Sequence, residues 1–274
     1  MNKFIQQSLL LAILMMSGIA MAAEITNDSL SQLMTLSGIN KQVADIPAGI
    51  SAGMQQSRQQ GAKLSDEQFS KIEEVMSTAF QPEEIGNTIS KKLKNELSET
   101  EAQALLSWYK SDLGKKITQA EESGSDPAAL QEMFKQAQTL LADKERVKLA
   151  KRIDQLVNAT DLTFEFQKNT ATAIFTSLSK AMNPGQPPDM KTFEAKLAEA
   201  QPKMKQQIEQ LITLAYVYNY KDLSTAEINK YIEFLQRPAT KKFNKLSIIG
   251  MKDALNASTI KMANSLATIF TAKK

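Results

Sequence analysis

The sequence predicts an all-α fold built from a tandem duplication of a multi-helix unit, and three observations lead to it. Apolar residues recur at spacings of three and four along most of the chain, and the alternation typical of strands is absent. Glycine accounts for only 10 of the 274 residues, about half its usual share. A short block in the first half of the chain returns in the second half in the same register.

The first 22 residues are predicted to be a signal peptide rather than part of the fold. Lys3 supplies a positive start, residues 9–16 are an unbroken apolar stretch, and residues 20–22 (Ala-Met-Ala) offer a signal peptidase site before Ala23. An uncleaved membrane anchor is the alternative, but the apolar segment is short for a hydrocarbon core of about 30 Å. We therefore expect a periplasmic protein that begins at Ala23 and has no transmembrane anchor.

The first clearly marked helix of the mature chain follows Ser65. Ser65 and Gln68 have the spacing of a capping box, and Pro82 stands just beyond the end of the apolar pattern. The spacing predicts one buried stripe, formed by Phe69, Ile72, Val75, Met76, Ala79 and Phe80.

Three more stripes predict three more helices. Asp126 is the predicted N-cap of the first of them, with Pro127 in its first turn. The stripes consist of Leu130, Met133, Phe134, Ala137, Leu140 and Leu141; of Leu149, Ile153, Leu156 and Val157; and of Ile174, Phe175, Leu178 and Met182. The turn-rich residues 183–189 predict a loop between helices.

The repeated block begins with Leu-Ser-Glu-Thr-Glu at residues 97–101 and returns as Leu-Ser-Thr-Ala-Glu at residues 223–227, 126 positions later. At the same offset, Trp108 aligns with Phe234. In both copies a Ser followed three residues later by Glu is the pattern of a capping box. Each block is therefore predicted to open a helix at a defined residue.

The match also includes a Lys pair, Lys115–Lys116 in the first copy and Lys241–Lys242 in the second. Chance similarity between two amphipathic helices is the alternative. We favour duplication because capping box, apolar stripe and Lys pair share one register. It predicts a first helical unit at residues 23–142 and a second at residues 143–274.

The first copy resembles the signature of the bacterial domain of unknown function 2059. That signature is Leu-Ser, a Glu three residues on, and then Phe-Tyr-x-Ser-Pro-x-Gly-x-Lys, with Trp108 here for Phe and Asp112 for Pro. The matching residues of the first copy are Ser98, Glu101, Trp108, Tyr109, Gly114 and Lys116.

The second copy departs further from the signature. It has Leu235, Arg237 and Thr240 where the family prefers Tyr, Ser and Gly. The residues that it keeps are Ser224, Glu227, Phe234, Pro238 and Lys242. The resemblance implies an exported helical domain present twice, with no assigned reaction or ligand.

Composition excludes most familiar catalytic and cofactor sites. With no Cys and no His, the chain has no thiolate nucleophile, disulfide, Cys/His zinc site or Ser-His-Asp triad. The formal net charge of +3 does not favour nucleic-acid binding. We expect no cofactor and no metal, and we expect the protein not to be an enzyme.

Paired carboxylates are the one hydrolytic apparatus that remains. The candidates are the neighbouring pairs Glu73–Glu74, Glu83–Glu84 and Glu121–Glu122, while Glu101 and Glu227 are better explained as capping residues. The sequence gives no sign of an apolar wall that would raise the pKa of one member of a pair. Hydrolysis is therefore the third hypothesis.

The leading hypothesis is a non-catalytic protein of the cell envelope that binds another envelope protein. Residues 208–217 are apolar enough to leave an open groove between helices, with Leu211, Ile212, Leu214 and Ala215 as its surface. The alternative is a carrier or sensor of an apolar small molecule or lipid. Trp108 and Tyr109 are expected in the core, because Leu105 and Leu106 share their helical face.

Overall fold

A computed structural model describes residues 23–59, 65–182 and 185–271 of the chain. These residues form twelve α-helices, which confirms the all-α prediction. In chain order they are α1 (Asn27–Leu36), α2 (Ile39–Gln59), α3 (Asp66–Ala79), α4 (Pro82–Glu96), α5 (Glu99–Tyr109), α6 (Asp112–Gly124), α7 (Pro127–Ala142), α8 (Lys144–Val157), α9 (Ala159–Met182), α10 (Met190–Asn219), α11 (Thr225–Gln236) and α12 (Pro238–Thr271). The predicted signal peptide lies outside the described residues.

Helix boundaries follow local capping signals. α3 begins directly after Ser65, as predicted, while the side chain of Gln68 lies outside the described part. α7 begins at Pro127 after Asp126, although the Asp126 side chain makes no capping hydrogen bond. Asp143 caps α8 by accepting a hydrogen bond from the Arg146 N–H at 3.0 Å. These helices therefore start where short polar residues or Pro stop the preceding segment.

The longest helix, α12, lies at the centre of the bundle. It packs against α3, α4, α5, α9 and α11, so its neighbours come from both halves of the chain. Its buried residues, such as Phe243, Leu246 and Met262, face these neighbours, while one exposed stripe runs along the helix.

One continuous hydrophobic core joins the two predicted units. Leu33 on α1, Leu93 on α4 and Ile153 on α8 are among its most buried members, with 0 %, 0 % and 1 % exposure. Phe80 and Phe234 belong to the same cluster. The stripe predicted after Ser65 therefore lies against this core.

α7 lies at the edge of the bundle and packs mainly on α10, where Met133 contacts a small second cluster with Leu214 and Tyr218. The predicted stripe on this helix is only half buried, because Leu130 and Phe134 are 40 % and 59 % exposed. A stripe of this regular spacing is expected to be buried along its whole length, and on α7 it is not. One long neighbour covers only one side of a stripe this wide.

The segment Ala23–Thr26 packs on the start of α5. The Ala23 carbonyl accepts a hydrogen bond from the Glu99 N–H at 2.8 Å, and Glu24 and Ser98 form an isolated antiparallel bridge. Ile25 is 2 % exposed. The residues that follow the predicted cleavage site are thus part of the folded bundle.

Candidate functional site

Each signature copy begins with a complete capping box. Ser98 Oγ accepts a hydrogen bond from the Glu101 N–H at 3.3 Å, and the Ser98 N–H donates to Glu101 Oε2 at 2.9 Å. Ser224 and Glu227 repeat both bonds, at 3.2 and 2.7 Å. The bonds satisfy N–H groups that a helix start leaves unpaired. They set the first residue of α5 and of α11.

The joint between α5 and α6 depends on a glycine. Ser111 Oγ accepts a hydrogen bond from the Gly114 N–H at 3.1 Å and donates one to the Trp108 carbonyl at 2.6 Å. A Cβ added at Gly114 would lie 2.1 Å from that carbonyl oxygen. Only glycine therefore fits this joint without a backbone shift.

The second copy forms the corresponding joint with other residues. α12 begins at Pro238, directly after Arg237 at the end of α11. Thr240 stands at the position that Gly114 holds in the first copy and is 1 % exposed. The guanidinium of Arg237 lies 6.0 Å from the Trp108 ring centroid, within the range of a cation–π contact.

The two signature copies exchange ion pairs. Lys116 of the first copy binds Glu227 of the second, with Nζ and Oε1 2.8 Å apart. Lys242 of the second copy binds Glu101 of the first, with Nζ and Oε2 2.7 Å apart. Each capping glutamate thus forms an ion pair with the lysine of the other copy.

In each copy an aromatic residue lies between the capping glutamate and the lysine in the sequence, and these two aromatic residues stack on each other. Trp108 and Phe234 stack with ring centroids 4.4 Å apart and planes 8° from parallel. Tyr109 meets the Phe234 ring edge to face at 5.6 Å and the Phe243 ring at 6.3 Å. Trp108 is partly buried, and both aromatic residues of the first copy pack against the core.

The ion pairs have a local electrostatic consequence. The hydrogen bond from Lys116, with those from Ser224, lowers the pKa of the Glu227 carboxyl to about 2. Burial acts to raise the pKa of Glu101, but the bonds from Lys242 and Ser98 outweigh burial and hold that pKa below its usual value. Both capping glutamates are therefore ionised at neutral pH.

Glu121 on α6 occupies a different environment. Its Oε1 accepts hydrogen bonds from the hydroxyls of Tyr220 and of Tyr231, the latter at 3.0 Å. Burial and the nearby Glu121 charge raise the pKa of the Tyr109 and Tyr216 hydroxyls. Burial raises the pKa of the Glu121 carboxyl, although the two hydroxyl donors act to lower it.

This cluster corrects one step of the sequence analysis. We expected no environment that raises the pKa of a carboxyl in the pair Glu121–Glu122, and the burial of Glu121 supplies one. Four of the five tyrosines of the chain surround Glu121. No motif brings them together in the sequence, because they come from α5, from α10 and the residue directly after it, and from α11.

The other carboxylate candidates have structural contacts. Glu73 accepts a hydrogen bond from Ser51 Oγ at 3.1 Å, and Glu84 pairs with Lys261. Glu83 and Glu84 lie in the first turn of α4, where negative charge is favourable. Within the residues described, no three acidic side chains converge as a metal site.

An apolar cavity that is partly open to solvent lies between α2, α4, α9 and α12 and has a volume of about 480 Å³. Three of its lining residues are polar: Gln42, Thr163 and Ser247. None of its lining residues is charged. The apolar lining is formed by Ile39, Ile46, Gly49, Ile50, Ile89, Leu162, Phe166, Ile248, Met251 and Leu255.

This cavity was not predicted from the sequence, and none of its lining residues was singled out there. Helical periodicity identifies an apolar face without telling whether a neighbour fills it. Conversely, the groove expected at residues 208–217 is largely covered. Ile208, Leu214 and Val217 are buried, and Leu211 is 48 % exposed.

Throughout the described ranges, no helix combines the length and the apolar composition that crossing a membrane requires.

Comparison with protein families gives one match. Residues 83–144 match a family described as an uncharacterized protein conserved in bacteria, DUF2059. This stretch runs from α4 to the start of α8 and contains the first signature copy. The resemblance inferred from Ser98, Glu101 and Trp108 is thereby confirmed for this segment. The family description names no catalytic activity.

No curated protein and no solved structure matches the chain.

Proposed function

We propose that this chain is an exported, non-catalytic binding protein that holds an apolar small molecule in the cavity between α2, α4, α9 and α12. The observation that carries the proposal is the cavity itself, with its volume of about 480 Å³ and its lining of aliphatic side chains. Small-molecule sites are typically concave and mostly apolar, with volumes of about 300–1,000 Å³. The signal-peptide pattern of residues 1–22 supports export.

The cavity is a better candidate for function than the predicted protein-binding groove. Leu214 on α10 packs against Met133 and Tyr218, so that face of α10 is occupied by α7. Leu211 remains exposed, and isolated apolar side chains are ordinary on protein surfaces. This ranks the carrier hypothesis above the protein-interaction hypothesis.

We also propose that the chain arose by tandem duplication, with units at residues 23–142 and 143–274. The exchanged contacts support this: Lys116 with Glu227, Lys242 with Glu101, and Trp108 with Phe234. Lys116 and Lys242 lie 126 positions apart, and the same offset separates Glu101 from Glu227 and Trp108 from Phe234. Such reciprocity, in which i contacts j and j contacts i, is the pattern of a two-fold interface.

Helix order supports the same proposal. α1 packs on α5, and α8 packs on α11. Both units also turn sharply after their first helix at a residue with positive φ, Gly38 at 78° and Asn158 at 58°. The ligand cavity lies between α2 and α9, the helices that follow these two turns. Both units therefore contribute walls to the proposed site.

Native mass spectrometry of protein purified from the periplasm of its own host tests the binding role. We expect a non-covalent adduct of small-molecule mass that is lost on denaturation. Ile248→Trp should reduce the amount of adduct, because the larger indole at this position occupies part of the cavity. Ile260→Trp is the matched control, since Ile260 lies on the same helix and is 59 % exposed.

Two outcomes would count against the proposal. The first is wild-type protein that carries no adduct and does not enhance the fluorescence of the neutral dye N-phenyl-1-naphthylamine. The second is an adduct that persists unchanged in Ile248→Trp. A protein partner retained in place of a small molecule would return the interaction hypothesis to first place.

A further inference from the structure

The residues that line the cavity indicate which kind of molecule it can bind. No Lys, Arg, Asp or Glu lines the cavity, although these four residue types make up 23 % of the chain. The polar lining is limited to the amide of Gln42 and the hydroxyls of Thr163 and Ser247. These groups form hydrogen bonds but carry no charge.

We propose that the ligand is a neutral amphiphile, an elongated apolar molecule with one uncharged hydrogen-bonding group such as a hydroxyl or an ester carbonyl. This inference rests on the proposed function and names the ligand class of the same cavity. Lipid alcohols and esters belong to this class, whereas fatty-acid anions and cationic amphiphiles do not.

Desolvation provides the argument against a charged ligand. A carboxylate or ammonium group that enters an apolar cavity loses its hydration, and only an opposite charge or several hydrogen bonds can compensate. The lining residues offer no opposite charge to either kind of group. A neutral group has a much smaller desolvation cost, and a single hydrogen bond can offset it.

Ser247 is the strongest candidate partner for the ligand's polar group. It lies on α12 in the cavity wall, and its buried hydroxyl has no hydrogen-bond partner in the described part of the chain. A buried hydroxyl without a partner is destabilising, so native structures usually satisfy such groups. A rotation of the Ser247 side chain that turns this hydroxyl toward the cavity lets a ligand hydroxyl or carbonyl supply the missing hydrogen bond.

The helices also indicate the length of the apolar body. On α12 the lining extends from Ser247 to Leu255, which is about 12 Å along a helix axis. On α2 it extends from Ile39 to Ile50, about 16 Å. These two spans fit an extended alkyl chain of intermediate length rather than a compact ring system.

Displacement of bound N-phenyl-1-naphthylamine from full-length mature protein tests the inference. The competitors are 1-dodecanol, dodecanoate and dodecylammonium, which share an alkyl chain and differ in head-group charge. At neutral pH we expect 1-dodecanol to displace the dye at a concentration at least about tenfold lower than either charged competitor, equivalent to about 1.4 kcal/mol. Competitors are kept below their micelle-forming concentrations.

Gln42→Lys supplies a matched variant. A lysine at this lining position places a positive charge in the cavity wall, so dodecanoate should gain affinity relative to 1-dodecanol by about tenfold. Dye binding by Gln42→Lys confirms that the variant is folded. Lys41→Gln, on the adjacent position outside this cavity, should leave the competitor ranking unchanged.

The outcomes separate this inference from the proposed function. If wild-type protein does not bind the dye at all, the proposed function fails and the inference fails with it. If the dye binds but dodecanoate or dodecylammonium displaces it as well as 1-dodecanol does, only the neutral-ligand inference is overturned. A preference for 1-dodecanol over dodecanoate that Gln42→Lys removes supports both.

Discussion

Trp108 stacks face to face on Phe234, the residue that holds the same position in the second signature copy. A position that contacts its own counterpart lies near the axis of a two-fold arrangement. The ion pairs of Lys116 with Glu227 and of Lys242 with Glu101 are then the two related contacts expected away from that axis. The signature residues thus form contacts between the two repeated sequence blocks, and the proposed ligand cavity lies elsewhere.

Loss of the first capping box should destabilise the protein by a modest amount. Ser98→Ala removes the acceptor of the Glu101 N–H bond and should cost about 1 kcal/mol of unfolding free energy. Chemical denaturation measures the difference. Ser107→Ala is the control, because Ser107 is exposed in the last turn of the same helix and should change stability by less than about 0.5 kcal/mol. Equal effects at the two positions would contradict the capping role.

Truncation of Trp108 should have a larger effect. Trp108→Ala removes the stack on Phe234 and should cost about 3 kcal/mol, lowering the melting temperature. Trp108→Phe keeps an aromatic ring at this position and should cost much less.

Fluorescence gives an independent check, since Trp108 is the only tryptophan of the chain. Its indole nitrogen is buried, so we expect blue-shifted emission that resists quenching by acrylamide. Red-shifted, readily quenched emission would indicate an exposed indole and contradict this packing.

Gly114 should not tolerate even one methyl group. A Cβ there meets the Trp108 carbonyl oxygen at 2.1 Å, and a backbone oxygen moves only with its helix. Gly114→Ala should therefore cost about 3 kcal/mol. Gly86→Ala is the opposite case, because open space surrounds that position on α4 and alanine favours helix, so stability should rise by about 0.5–1 kcal/mol. Thermal unfolding of the two variants separates steric conflict from helix propensity.

Glu121→Gln should stabilise the protein at neutral pH. Because burial raises the pKa of Glu121 in the folded state, its contribution to stability is fully present below its unfolded pKa and is lost as pH rises through the folded pKa. Glutamine keeps an oxygen acceptor for Tyr220 and Tyr231 without the charge. The gain in stability should disappear in acid, where Glu121 is protonated in both the folded and the unfolded state. Unfolding free energies of variant and wild type measured across pH test this.

Glu227→Gln should destabilise the protein at neutral pH, the opposite of the effect expected for Glu121→Gln. The lowered pKa of Glu227, about 2, means that its contribution is present above the unfolded pKa and is lost as pH falls from about 4.5 toward 2. The variant should therefore be less stable than wild type at neutral pH, and the difference should shrink as pH falls toward 2 and vanish below that pH. A Glu121→Gln curve that parallels the Glu227→Gln curve would contradict the assigned environment of Glu121.

The helices and their starts could be predicted because their causes are local. A capping box such as that of Ser98 and Glu101 joins residues three positions apart. The apolar stripe from Phe69 to Phe80 follows from the helical period. Neither inference requires knowledge of what lies on the other side of the stripe. The same locality let the residues from Ser98 to Lys116 indicate the family resemblance that the match over residues 83–144 confirms.

Tertiary structure decided which faces meet, which are left uncovered and which polar groups lose water. Phe134 belongs to a regular stripe but is 59 % exposed, because α7 has only one long neighbour. The pKa of Glu121 is raised by burial among side chains from other helices. The apolar cavity exists because the side chains of α2, α4, α9 and α12 do not fill the space between them. Helical periodicity acts within a few residues of the chain, whereas burial, ion-pair exchange and empty volume depend on segments more than a hundred residues apart.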